Sequence, residues 1–372
     1  MKYFLVAGEK SGDLHGGNLI NAIKAKDGAA EFLGFGGDEM LTKGMLVVKH
    51  YKSMAFMGAW EVVKNLGEIR KNEALCKKTI IESKPDVVIL IDYAGFNLRI
   101  AKFCKQKGIK VFYYIAPKVW AWNTKRALGI KKNVDRLFCI LPFEKEFFGT
   151  FDYEVDYVGN PVVDAVTQYE VNGAVQDALL KAANGKKIVA VLPGSRKQEV
   201  VSMLALFTEV MKELRQYHFV VAKVDNLDPA VYQIMEGLEN CSALTGKTYD
   251  LLAISDAALV CSGTATLETA LWGVPQLVAY KTSKLTYAIA KRVVKVPYIS
   301  LVNLIYGKEL VQELIQDACN TSTIQENLLG LLEDPAKRKG IQEGYAKIKD
   351  LLGEEPASQR AAGLMLERLK NT

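Results

Sequence analysis

The chain has 372 residues and a net charge of +6, from 48 lysines and arginines against 42 acids, with 49% hydrophobic and 24% charged residues. That composition belongs to an ordinary globular protein long enough for two cored domains, and it excludes a disordered or collagen-like chain. No apolar run approaches eighteen residues, so no transmembrane helix is expected, and a modest net charge without a binding motif argues against a nucleic-acid partner.

The first apolar run, residues 3–7, reads as a buried strand and stops at Gly8-Glu9-Lys10, too short for the core of a signal peptide. Further short apolar runs alternate with helical patterns at 32–35, 87–91, 111–115, 137–140 and 157–158, then at 188–192, 219–222, 257–261 and 276–279. This alternation predicts an α/β fold of parallel sheets, with enough strands in each half for its own doubly wound sheet. Gly159-Asn160-Pro161 is a turn that neither a helix nor a strand interior tolerates. We therefore expect a first domain over 1–160, a second over 161–342, and a helical tail over 343–372 packing back on the first. Two such sheets are expected to face a cleft at their strand C-terminal ends, where loops carry the ligand.

Residues 99–136 hold eleven Lys/Arg and one acid, Asp135, and 281–308 hold six basic residues and no acid. Part of this is lysine on solvated helix faces, while the aromatics Tyr113, Tyr114, Trp120 and Trp122 in the first block suit an anionic membrane surface or a phosphorylated lipid. The six cysteines show no CxxC spacing and read as reduced core thiols. His15, His50 and His218 have no ligand at useful spacing, so no metal site is expected.

After the first strand, Gly8-Glu9-Lys10-Ser11-Gly12-Asp13 is neither a Walker A loop nor GxGxxG. It places two carboxylates, Glu9 and Asp13, at a strand-to-helix junction, where Asp13 either caps the helix or serves as a general base. Asp92 stands at the end of the run 87–91 with the same two readings. In the second half, Leu192-Pro193-Gly194-Ser195-Arg196 follows a strand, so Arg196 can reach a diphosphate.

The run Ala257-Ala258-Leu259-Val260-Cys261 gives way to Ser262-Gly263-Thr264, and Thr266-Leu267-Glu268 opens a helical pattern. A strand ending in small hydroxyl residues before a helix presents backbone N–H groups that bind phosphate. Glu268 lies about one turn in, wrongly charged for phosphate but suited to accept from two ribose hydroxyls. Otherwise it is an acidic residue favouring the helix dipole.

AGEKSGDLHG, VWAW, LPFE, LPGSR, SGTATLE and AYKTSKLTYAIAKRVVKVPYISLVNL occur in this order between residues 7 and 304. Together they resemble the lipid-A-disaccharide synthases, glycosyltransferases with two Rossmann-like domains in the GT-B architecture. The resemblance implies an inverting transfer of 2,3-diacylglucosamine from UDP-2,3-diacylglucosamine to 2,3-diacylglucosamine 1-phosphate. It implies no metal or organic cofactor, and a place on the cytoplasmic face of the inner membrane. It also implies that the second domain holds UDP through Ser262, Gly263, Thr264 and Thr266 near the phosphates and Glu268 at the ribose. Ser195, Arg196 and Asn303 match donor-site positions. For the base we choose Asp13, then Glu9 and Asp92. Many members read D-x-P-D-F-N where this chain has Asp92-Tyr93-Ala94-Gly95-Phe96-Asn97, so the second carboxylate is Gly95 here.

Acylated substrates require an acceptor site open to lipid. Met54-Ala55-Phe56-Met57-Gly58-Ala59-Trp60, before a segment with Lys64, Arg70 and Lys71, can insert Phe56, Met57 and Trp60 into an anionic membrane surface. The rival is that these aromatics fill the core. Two other classes compete at this stage. A nicotinamide-dependent oxidoreductase would need a glycine fingerprint that is missing. A non-catalytic module binding nucleotide sugars, or another UDP-sugar-using GT-B enzyme, would keep LPGSR and SGTATLE.

Overall fold

The computed structural model describes residues 1–54 and 65–370. The chain divides into two compact units, one from Met1 to Pro161 with the segment from Glu354 on, the other Val162–Gly353. The helix Pro335–Leu352 runs unbroken across residue 343, where the tail was expected to start, so the division falls at Gly353 instead.

The first unit holds seven parallel strands: β1 (Lys2–Ala7), β2 (Glu31–Gly36), β3 (Leu46–His50), β4 (Val87–Ile91), β5 (Val111–Tyr114), β6 (Arg136–Cys139) and β7 (Asp156–Tyr157). Their order is β3-β2-β1-β4-β5-β6-β7. The second unit holds β8 (Ile188–Leu192), β9 (His218–Lys223), β10 (Cys241–Thr245), β11 (Ala257–Cys261), β12 (Gln276–Tyr280) and β13 (Glu313–Ile315), ordered β10-β9-β8-β11-β12-β13. Both are doubly wound, and each reverses direction once: between β1 and β4, and between β8 and β11.

The central strands β4, β8 and β11 are apolar throughout because both faces of the sheet are covered there. Alternate residues serve opposite cores: Phe4, Val6, Val88 and Leu90 pack on one side, Tyr3, Leu5, Val87 and Ile89 on the other, all fully buried. The C-terminal helix Ala357–Lys370 belongs to the second of these cores, burying Ala361, Ala362 and Met365 against Leu19, Ile20 and Ile23 of helix Lys10–Lys24. Arg368 adds an ion pair to Asp156 at 3.0 Å.

Three strands escaped the sequence reading, β3, β10 and β13, and all three are sheet edges. An edge strand is covered on fewer sides, so β10 carries the mixed residues Cys-Ser-Ala-Leu-Thr, and the apolar parts of β3 and β13 shrink to Leu-Val-Val and Leu-Ile. None of the six cysteines forms a disulfide.

Candidate active site

In doubly wound sheets the ligand crevice lies beyond the strand C-termini at the reversal point. In the first unit that point joins the loop after β1 to the loop after β4, since Ala7 pairs with Ile91. Gly8 permits the approach: an added Cβ there would sit 2.2 Å from the Tyr93 ring.

Asp13 lies in the first turn of helix Lys10–Lys24, and its carboxylate is taken up by backbone donors around Gly37. It is 2% exposed and accepts from the backbone N–H groups of Gly37 (2.6 Å), Glu39 (3.0 Å) and Met40 (3.2 Å). It therefore caps helix Asp38–Thr42, a neighbour's terminus and not that of its own helix. With both oxygens engaged by three donors, it is a poor choice for the base. Glu9 is the half-buried N-cap residue of helix Lys10–Lys24, and its charge raises the Tyr93 hydroxyl's pKa after burial does so. His15 is held neutral, pushed down to about 4 by burial.

Asp92 has the better setting. It and Tyr93 occupy the left-handed region at φ 45° and 48°, and Ile115, at the end of neighbouring β5, has φ 65°. Such conformations cost of order 1–3 kcal/mol each and cluster at functional sites. The Asp92 carbonyl is pinned by the Tyr113 hydroxyl at 2.5 Å and by Asn97 Nδ2 at 2.8 Å. Burial raises the Asp92 carboxyl pKa, opposed by the charge of Lys118 and by the Tyr93 backbone N–H. The result is a carboxylate more basic than usual, with a cation near it.

Lys118 also acts on Glu144, the acidic residue of the LPFE motif. Glu144 is 1% exposed and accepts from the Trp120 indole (3.0 Å) and the backbone N–H groups of Ile140 (3.2 Å) and Leu141 (3.0 Å). Burial pushes it up to about 7 against those donors. It ties VWAW to the end of β6.

In the second unit the reversal point joins β8 to β11, with Leu192 paired to Val260, so LPGSR and SGTATLE emerge side by side. Gly194, at φ 112°, makes the turn, and a Cβ there would meet Glu199 at 3.0 Å. Arg196 is held by Glu199, Nη1 to Oε1 at 2.7 Å, with its side chain still 71% exposed. Ser195 is exposed beside it. Gly263 and Thr264 are exposed at the start of helix Thr264–Leu271. Ser262 donates to the Ile299 carbonyl at 2.9 Å, which fixes the loop and leaves its oxygen lone pairs as acceptors.

Two expected donor contacts turn inward instead. Thr266 is fully buried and donates to the Gly263 carbonyl at 2.8 Å, closing the first turn. Asn303 is also fully buried. It donates to the Val311 carbonyl and to Glu313, and accepts from the N–H groups of Leu310 and Val311. All four bonds stay within the protein, so Asn303 fixes the loop that supports Ile299.

Glu268 is half-buried, its pKa raised by burial, and Oε1 accepts from the Tyr249 hydroxyl at 2.7 Å. One oxygen is thus already used. Tyr249 in turn packs on Tyr169 and Trp272, with ring centroids at 5.1 and 5.8 Å. No sequence signal marked Tyr249, because it reaches Glu268 from a separate helix, Thr248–Leu252. Phe56, Met57 and Trp60 lie outside the described residues.

A family model described as lipid-A-disaccharide synthetase matches residues 3–366. Curated lipid-A-disaccharide synthases from Geobacter metallireducens and Syntrophus aciditrophicus are 36% and 39% identical, covering 99% of this chain and 97% and 98% of theirs. Among solved structures, UDP-GlcNAc 2-epimerase from Neisseria meningitidis bound to UDP-GlcNAc superposes with a TM-score of 0.67 at 16% identity, covering 100% of both chains. The glycotransferase of kitacinnamycin gives a TM-score of 0.68 at 13% identity, covering 99% of each.

Proposed function

The chain belongs to the lipid-A-disaccharide synthetase family, glycosyltransferases of lipid A biosynthesis with the GT-B fold, and from that premise we propose a specific reaction and site. The donor is UDP-2,3-diacylglucosamine and the acceptor 2,3-diacylglucosamine 1-phosphate. The acceptor's 6-hydroxyl attacks the donor's anomeric carbon, passing its proton to Asp92. The new carbon–oxygen bond forms as the bond to UDP breaks, and the electron pair leaves on the β-phosphate oxygen. The products are the β-1,6 disaccharide 1-phosphate and UDP.

The observation that carries the donor side is the adjacency of LPGSR and SGTATLE at the β8/β11 reversal point. The N–H groups at the start of helix Thr264–Leu271 and the Arg196 guanidinium offset charge on the departing diphosphate. Solved structures of this fold hold UDP-GlcNAc in the Neisseria meningitidis epimerase and UDP in S. aureus MnaA, which supports a UDP-sugar here. Glu268 Oε2 accepts from the ribose while Tyr249 steadies Oε1. Ser195, Ser262, Gly263 and Thr264 line the phosphates, with Thr266 and Asn303 as positioning residues.

The acceptor belongs to the first unit. Asp92 is ionised with the help of Lys118 and takes the proton. Glu9 contributes negative charge nearby, and Asp13 holds the rim. Among the described residues no helix is long and apolar enough to cross a membrane. Because both proposed substrates are acylated, the proposed place of work is the cytoplasmic face of the inner membrane, with Phe56, Met57 and Trp60 as the membrane-facing residues.

Asp92→Asn is the test of the base. Turnover is expected to fall roughly 10²–10⁴-fold with UDP affinity unchanged. The wild-type rate should also decline at low pH, because protonated Asp92 accepts no proton. Wild-type turnover in the variant would remove Asp92 from the reaction.

A further inference from the structure

Apart from the two strand rims, the first unit carries a pocket of about 530 Å³ between helices Ala94–Gln106 and Arg126–Asn133. Its charged lining is entirely cationic: Arg99, Lys102, Lys125 and Arg126. Arg99 pairs with Glu73 at 2.8 Å, but no ion pair among the described residues engages Lys102, Lys125 or Arg126. Four like charges around one cavity repel one another, and an anion relieves that repulsion. The volume lies within the usual range for small-molecule sites.

The rim adds a second chemistry. Beside the pocket, Arg126 lies over the Trp122 ring, 4.9 Å from its centroid, and Trp122 is 45% exposed. Cations within a pocket and an exposed aromatic beside it suit a phosphate attached to an acylated body. Gly95 and Gly129 line the pocket, both are exposed, and an added Cβ at either would meet nothing within 4 Å. The pocket also begins at Ala94, two residues after Asp92.

We propose that this pocket binds a phosphomonoester carried on an acylated molecule. Two molecules bear that group: the phosphorylated acceptor, an identification that rests on the reaction proposed above, and a membrane phospholipid such as phosphatidic acid. The phosphate meets Lys102, Lys125 and Arg126, while the acyl body lies toward Trp122.

The test uses the full chain and two variants, Lys102→Gln/Lys125→Gln and Gly129→Asp. The second points a carboxylate into the pocket from an exposed position with open space, so it folds even where the first does not. One arm measures equilibrium binding of 2,3-diacylglucosamine 1-phosphate in detergent. The other measures sedimentation with phosphatidylcholine vesicles, with and without phosphatidic acid. Each variant is expected to weaken phosphate-dependent binding roughly tenfold or more, with melting temperature and UDP affinity as in wild type. Loss in the first arm alone assigns the acceptor phosphate, and loss in the second alone assigns the phospholipid head group. Both results support the pocket. Folded variants that match wild type in both arms overturn it. Neither arm requires turnover, so an inactive wild type would sink the proposed reaction without deciding the pocket.

Discussion

Replacing Asp13 separates support from catalysis more cleanly than any other change in the first unit. In Asp13→Ala, the N–H groups of Gly37, Glu39 and Met40 lose their acceptors at a site only 2% exposed. Lost caps cost about 0.5–2 kcal/mol and unsatisfied buried donors about 1–3 kcal/mol each, not fully additive, so a total of about 3–5 kcal/mol is expected. For a domain of this size that lowers the melting temperature by about 6–20 °C. Asp13→Asn is the sharper probe. Its remaining oxygen serves Gly37 and Met40, while its amide nitrogen confronts the Glu39 N–H, for a cost of about 1–3 kcal/mol. Calorimetric melts and turnover, measured well below the transition, read the two roles apart. The expected Asn variant melts early and, where folded, retains turnover within about tenfold. A variant that melts with wild type yet loses 10²–10⁴-fold in turnover would refute this reasoning and make Asp13 the base.

Glu268→Ala should weaken UDP binding by about 1.5–3 kcal/mol, because Tyr249 already occupies one carboxylate oxygen and a charged acceptor for the ribose is lost. Titration calorimetry checks this, and unchanged affinity would return Glu268 to a helix-end charge. Glu144 binds its proton more tightly in the folded state, about 7 against an ordinary 4.5. Its stabilising contribution is therefore complete below pH 4.5 and is lost as pH rises toward 7, by about 3 kcal/mol. Denaturant titrations should show this slope in wild type and a flatter one in Glu144→Gln; equal slopes would contradict it. Phe56→Ser/Met57→Ser should melt with wild type yet release from anionic vesicles, and high salt should shed wild type. A wild type indifferent to vesicles would remove this stretch from the membrane.

The central strands were legible because burial on both faces makes them unbroken apolar runs, as in Val-Val-Ile-Leu-Ile of β4. Edge strands carry a weaker mark: β3, β10 and β13 were missed, while the edge strand β7 was read from Tyr157-Val158. The loops after β1, β4, β8 and β11 were legible as places where strands stop at small or acidic residues, and strand order then pairs them. Side-chain direction was not legible. Asp13 and Asp92 look alike in sequence, but one meets three N–H donors at the start of helix Asp38–Thr42 and the other stands on a strained strand end beside Lys118. Asn303 sits in a recognisable motif, yet its partners lie seven to ten residues downstream and turn it inward. Glu268 and Tyr249 are 19 residues apart, a separation at which no local pattern links them.

The central claim is the joining of two diacylated glucosamines with loss of UDP. Purified protein incubated with UDP-2,3-diacylglucosamine and 2,3-diacylglucosamine 1-phosphate, followed by mass spectrometry, tests it directly. The account predicts a new ion at the mass of the tetraacylated disaccharide monophosphate, appearing one for one with UDP. Free diacylglucosamine with UDP, an isomerised UDP-sugar, or unchanged substrates alongside intact UDP binding would contradict it.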